Sequence, residues 1–222
     1  MWVYCRHALL AVGATLALAG SGWALESKAQ WQVGEFEVFA LPDTRLPQPD
    51  PTQQSGVAYA IRKGRTVVLI NAGRGARQGH DLGLVAENLK SVGIAPDEVS
   101  AVFLTSMHAD LVGGLLAPNA QRQYKNAQLF ASAAAMQYWL ADYSYVQAPD
   151  DQKVAFATTI TSVMPYVQAG KLHAVEEGLA LLPGMKVLPL SASTPGCVGY
   201  LIESGGRKLM ITGDQPALAL AR

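Results

Sequence analysis

Thr105-Ser106-Met107-His108-Ala109-Asp110-Leu111-Val112-Gly113-Gly114 is the stretch on which the fold turns. A short apolar run, residues 101–104, precedes it and reads as a buried strand that delivers a loop. His108 and Asp110 stand two apart in that loop. Neutral imidazole and carboxylate are the side chains that suit a borderline divalent cation.

Outward from the loop, strand and helix patterns interleave. Val67-Val68-Leu69-Ile70 is a continuous apolar run, as a strand buried on both faces shows. With residues 56–62 and a turn at Lys63-Gly64 it makes a hairpin. Residues 31–40 alternate around Gly34, with Phe36, Val38 and Ala40 on one face, and read as strand. Residues 41–55 hold Pro42, Pro47, Pro49 and Pro51 and form a loop. Asp81 is expected to cap a helix through Leu82, Val85, Ala86, Leu89 and Val92, with Gly93 as its stop. Ser132 opens a second helix through Met136, Trp139 and Leu140. Pro149-Asp150 opens a third, with Phe156, Ile160, Val163 and Val167 on one face. Residues 185–190 read as a strand, and residues 198–203 and 207–212 as a hairpin across Ser204-Gly205-Gly206. This order suits an α/β (α+β) class, with a sheet core and helices outside.

The chain has 222 residues, 50% hydrophobic and 15% charged, which fits one globular domain over residues 25–222 with a sizeable core. The formal net charge is zero, so no basic field points to nucleic acid or an anionic membrane. Arg6 and His7 precede an apolar run, residues 8–19, and Gly22-Trp23-Ala24 offers a small-x-small cleavage site. Residues 1–24 therefore read as a secretory signal peptide, with a secreted or periplasmic destination. An uncleaved anchor is the alternative, although the run is short for a span. Cys5 falls in that leader, which leaves Cys197 without a disulfide partner.

The loop has the frame T-H-x-H-x-D-H-x-G-G and resembles the metal-binding loop of the metallo-β-lactamase superfamily. Three further segments are similar in the same order: Val68-Leu69-Ile70-Asn71-Ala72-Gly73, Ser193-Thr194-Pro195-Gly196-Cys197 and Ile211-Thr212-Gly213-Asp214. Gly34-Glu35-Phe36-Glu37-Val38, Ala148-Pro149-Asp150-Asp151, residues 165–171 and Glu203-Ser204-Gly205-Gly206 narrow the resemblance to the methyl parathion hydrolase branch. The similarity covers roughly residues 31–214. It implies an αββα sandwich, a zinc or other divalent metal pair, and hydrolysis of a small phosphotriester, lactone or similar ester.

Carried over position by position, the resemblance implies a depleted site. The first metal's histidines fall at Ser106, His108 and Ser193, and only His108 is a histidine. The second metal's ligands fall at Asp110, Leu111 and a later histidine, and only Asp110 is retained. Asp214 would bridge the two, and Asn71 replaces an aspartate. His108, Asp110 and Asp214 thus form a residual set, suited to one cation or left as polar residues lining a pocket, with Asp110 also the acid-base candidate. Ser106, Leu111 and Ser193 are the degraded ligand positions. The chain has four histidines, His7, His80, His108 and His173, too few for five imidazole positions. His80 and His173 are expected at the surface, and Cys197 as a small buried side chain. Tyr138 and Trp139 either flank a ligand or pack the core.

The family's fold runs on past Asp214, so the second half of the sandwich is expected to be incomplete. Residues 217–221 are expected to make only a short helix, and an open sheet edge predicts lower stability or repair by a homodimer. Three readings follow: a secreted metal-dependent hydrolase, a non-catalytic relative that binds a small ligand in the old pocket, or the product of a truncated gene.

Overall fold

A computed structural model describes residues 30–44, 57–175, 180–190, 194–213 and 218–220. The expected leader, most of the proline-rich loop, Ser193, Asp214 and Pro216 lie outside the described residues.

β1 (Gln30–Val33) and β2 (Phe36–Leu41) pair antiparallel around Gly34-Glu35, so the strand read over residues 31–40 is a hairpin. Gly34 has φ 56°, and a Cβ there would collide with Ser204. β3 (Ala58–Lys63) and β4 (Thr66–Ile70) turn at Gly64-Arg65, one residue beyond the expected place. β5 (Val99–Phe103), β6 (Gln128–Ser132) and β7 (Leu172–Val175) then add in parallel, giving a seven-stranded sheet in sequence order.

The parallel half needs crossovers. They are built from α1 (Val85–Ser91), the single turn α2 (Ala109–Val112), α3 (Ala133–Leu140), α4 (Asp142–Gln147) and α5 (Asp150–Gln168). A second, antiparallel sheet contains β8 (Ala180–Leu182), β9 (Met185–Pro189), β10 (Val198–Ser204), β11 (Arg207–Ile211) and β12 (Leu218–Leu220), in the order β12-β11-β10-β9-β8. The β10–β11 turn is Gly205-Gly206, both at positive φ, as a two-residue hairpin turn requires.

The layers explain the apolar runs. Val67 and Leu69 face the helices and pack with Leu89, Val102, Phe156 and Tyr166. Val68 and Ile70 face the second sheet and pack with Phe103, Tyr200, Ile202 and Ile211. A strand covered on both sides loses the apolar–polar alternation. Among the described residues, helix layer, first sheet and second sheet are three of the four layers the resemblance implies. Among the described residues, no helix is long and apolar enough to cross a membrane.

Three local readings are corrected. Asp81 does not cap α1, which begins three residues later than expected with Leu84 at its N-cap. The Asp43 carboxylate, far off in the chain, accepts the Val85 N–H at 3.3 Å. The buried face of α5 is Phe156, Thr159, Ser162, Val163 and Tyr166, with Val167 exposed. The hydroxyls of Thr159 and Tyr166 on that face carry specific hydrogen bonds, which periodicity of apolar residues cannot reveal. Lastly, Leu218–Leu220 is a strand and not a helix: it pairs antiparallel with β11 and occupies its edge. An edge offers unpaired backbone groups along its length, and a short segment gains more there than from one helical turn.

Candidate functional site

The loop after β5 is built from buried backbone bonds. The Leu104 carbonyl accepts the Tyr200 hydroxyl at 3.0 Å, and the Thr105 carbonyl accepts the Val198 N–H at 2.8 Å. Both tie the loop to the second sheet. Asn71 follows β4 with φ 61°, a conformation asparagine tolerates better than most residues. Its Oδ1 accepts the Thr105 N–H at 3.0 Å and the Thr105 hydroxyl at 3.1 Å. Asn71 is thus a structural clamp between two strand ends, and its Nδ2 is buried with no hydrogen-bond partner among the described residues.

His108 is the N-cap of α2 and accepts the Asp110 N–H on Nδ1 at 3.4 Å. Ser106 is buried, and its hydroxyl oxygen accepts the His108 N–H at 3.3 Å. Met107 carries its carbonyl to the core, where the buried Thr159 hydroxyl of α5 donates to it at 2.7 Å. Gly113 and Gly114 press on the loop after β4: a Cβ on Gly113 would meet the Arg74 carbonyl, and one on Gly114 the Ala72 carbonyl. The Gly-Gly pair is therefore a packing requirement between two loops.

Those loops bring together His108, Asp110 and a residue that sequence reading missed. The Arg74 Nε lies 3.0 Å from Asp110 Oδ1, a charge contact outside hydrogen-bond alignment. Asp110 is 5% exposed, so its carboxylate needs a partner. His108 Nδ1 lies 3.8 Å from Asp110 Oδ2, too far for a hydrogen bond. Burial holds the His108 imidazole below its ordinary pKa against the pull of Asp110, with Arg74 adding to the depression. Arg74 is itself anchored: its N–H donates to Asp43 Oδ2 at 2.8 Å, and its carbonyl accepts Gln78 Nε2 at 2.6 Å. The only sequence signal for Arg74 was its place between Gly73 and Gly75, in the loop that follows β4.

Leu111 is buried and points no donor at the site. His80 is exposed, and His173 is exposed and bonded to Gln128 at 2.8 Å, as expected of surface histidines. Cys197 is buried and outside any metal-binding group among the described residues. Trp139 is buried in the core against Tyr138 and Phe156, yet its ring meets His108 edge-on at 5.6 Å. Its Nε1 has no hydrogen-bond partner among the described residues. Core packing and contact with the site are here the same residue. Among the described residues, no three His, Cys, Asp or Glu side chains form a group able to hold a metal ion.

A family model described as the metallo-beta-lactamase superfamily matches residues 51–215. No curated protein matches the sequence. The fold is similar to the crystal structure of the hydrolase AbOPH in the beta lactamase superfamily, with TM-score 0.72 and 21% identity over 85% of this chain and 74% of that one. It is also similar to AidC, a dizinc quorum-quenching lactonase, with TM-score 0.70 and 18% identity over 82% and 72% of the two chains. A probable metal-dependent hydrolase from Staphylococcus aureus aligns with TM-score 0.64 and 18% identity, over 82% and 74%. At such identities the likeness is one of fold.

Proposed function

The chain belongs to the metallo-beta-lactamase superfamily, and from that premise we propose that it is a relative of the superfamily's metal-dependent hydrolases in which the two-metal centre is dismantled. The observation that carries this is the donor set of the motif loop. Of Ser106, His108, Asp110 and Leu111, one imidazole and one carboxylate remain, and Arg74 already occupies the carboxylate. Structural zinc takes about four ligands and catalytic zinc about three plus water. A hydroxyl and an isobutyl group do not replace imidazoles, so a pair of divalent cations does not fit these residues.

The segments quoted above support ancestry in the methyl parathion hydrolase-like branch. The fold neighbours whose names mention a lactonase or a metal-dependent hydrolase support an ester- or lactone-like molecule as the ligand class. Residues 1–24 support export from the cytoplasm. A second reading is favoured by Trp139: its ring meets His108, and its buried indole N–H has no partner among the described residues, which suits retention of a small polar-headed ligand without turnover.

The test is metal content per chain after zinc loading and removal of excess, together with hydrolysis of lactone, aryl ester and phosphotriester probes. The expected result is well under one equivalent and no turnover that EDTA abolishes. Near two equivalents with EDTA-sensitive hydrolysis overturns the proposal.

A further inference from the structure

Asp110 poses an electrostatic problem that the missing imidazoles do not solve. Its side chain is 8% exposed, and a carboxylate so placed is costly unless a cation faces it. His108 does not serve: its Nδ1 already takes the Asp110 N–H, so that nitrogen has no proton to offer Oδ2. Among the described residues, Arg74 is the one Lys or Arg in ion-pair contact with Asp110.

We propose that the Arg74 guanidinium performs, on Asp110, the charge balancing that a metal cation performs in an intact site, so that this chain holds its motif loop with a cation of its own. The chemistry of the side chain and two observations support it. A guanidinium stays charged at all accessible pH and does not exchange. The Arg74 backbone is fixed at both ends, by Asp43 and by Gln78, and Gln78 Nε2 also donates to the Ala109 carbonyl at 3.0 Å, one residue from Asp110. The flanking Gly73 and Gly75 sit at φ 76° and 79°, and a Cβ at Gly75 would run into the Gly113 backbone at 2.6 Å. Two loops are therefore packed backbone to backbone so that this side chain reaches that carboxylate. The contact is a charge contact, 3.0 Å apart and off the hydrogen-bond line, and Coulomb attraction at that distance does not depend on donor alignment.

The inference rests on the loss of the two-metal centre, and the experiment separates the two. Melting temperatures of the unaltered chain, R74M, R74M/D110N and R74K are measured with and without zinc chloride, and metal content is determined for each. The expected result is a zinc-indifferent parent and an R74M variant that melts roughly 10 °C lower, since an uncompensated buried charge costs several kcal/mol. Zinc should recover part of that loss. R74M/D110N should melt near the parent and ignore zinc, and R74K should stay zinc-indifferent. If R74M alone does not fold, folding of the double variant, or of R74M refolded with zinc, carries the same reading. An R74M variant that melts like the parent, or a loss that zinc does not relieve, overturns the role given to Arg74. A parent that retains two zinc ions and gains stability from them overturns the loss of the metal centre as well.

Discussion

At the scale of the residue, the motif loop is held by side chains that a ligand inventory passes over. Thr159 lies on the buried face of α5 and donates to the Met107 carbonyl, one residue before His108. Thr159→Val keeps the shape and strands that carbonyl. It is expected to cost about 1–3 kcal/mol in urea unfolding, the range for a buried group left unsatisfied. A smaller cost, with the amide exchange of residues 106–110 unchanged, would show that the loop does not depend on α5. Asn71 makes the same point from the other side. Its Oδ1 serves two donors on Thr105, so a position read as a lost ligand is an occupied structural post.

At the scale of the element, a helix start and a loop are set by one remote carboxylate. Asp43 is 2% exposed and accepts backbone N–H groups from Arg74, Gly75 and Val85. It joins the chain before the proline-rich segment to the loop after β4 and to α1. Burial pushes its pKa up, and the N–H donors counter part of that rise. Asp43→Ala is expected to destabilise the domain by about 3 kcal/mol, because three N–H groups, two in buried bonds and one part-buried, lose their acceptor. Asp81→Ala, at the position the sequence marked as the cap, should stay within about 0.5 kcal/mol. Equal effects in chemical denaturation would restore Asp81 as the cap. The start of α3 was legible, by contrast. Ser132 accepts the Ala135 N–H at 3.1 Å and also donates to the Gly196 carbonyl at 2.6 Å, so a local cap doubles as a tie to the distant Gly196 loop.

At the scale of the whole molecule, the core is sealed by three phenols. Tyr124, Tyr166 and Tyr200 are fully buried, and burial raises all three, Tyr166 to about 12. An unfolded tyrosine titrates near 10, so between that value and the folded pKa the unfolded chain has shed protons that the folded chain keeps. Unfolding is then favoured by rising pH. Their contribution to stability is full below about pH 10 and is lost above it. Melting temperature is expected to fall steeply from pH 9.5 to 11, and a flat profile would contradict the burial of these rings. Tyr124 has no hydroxyl partner among the described residues. Tyr124→Phe should therefore be neutral or stabilising at pH 7 and should shallow the alkaline decline.

The sequence by itself determined the class of fold, most of the strands and the frame of the site. Those features are local or periodic: Val67 to Ile70 is apolar on both faces because two layers cover it, and four motif segments stand in order along the chain. That the chain has four histidines is likewise a matter of counting. Only the tertiary structure decided which cation meets Asp110, which carboxylate caps α1, and that residues 218–220 complete a sheet edge. Arg74 and Asp110 are far apart in the chain, as are Asp43 and Val85. Such pairs form because packing brings loops from different strand ends to one place, and the cost of burying a charge then selects the partner within reach. No periodicity along the chain records that choice.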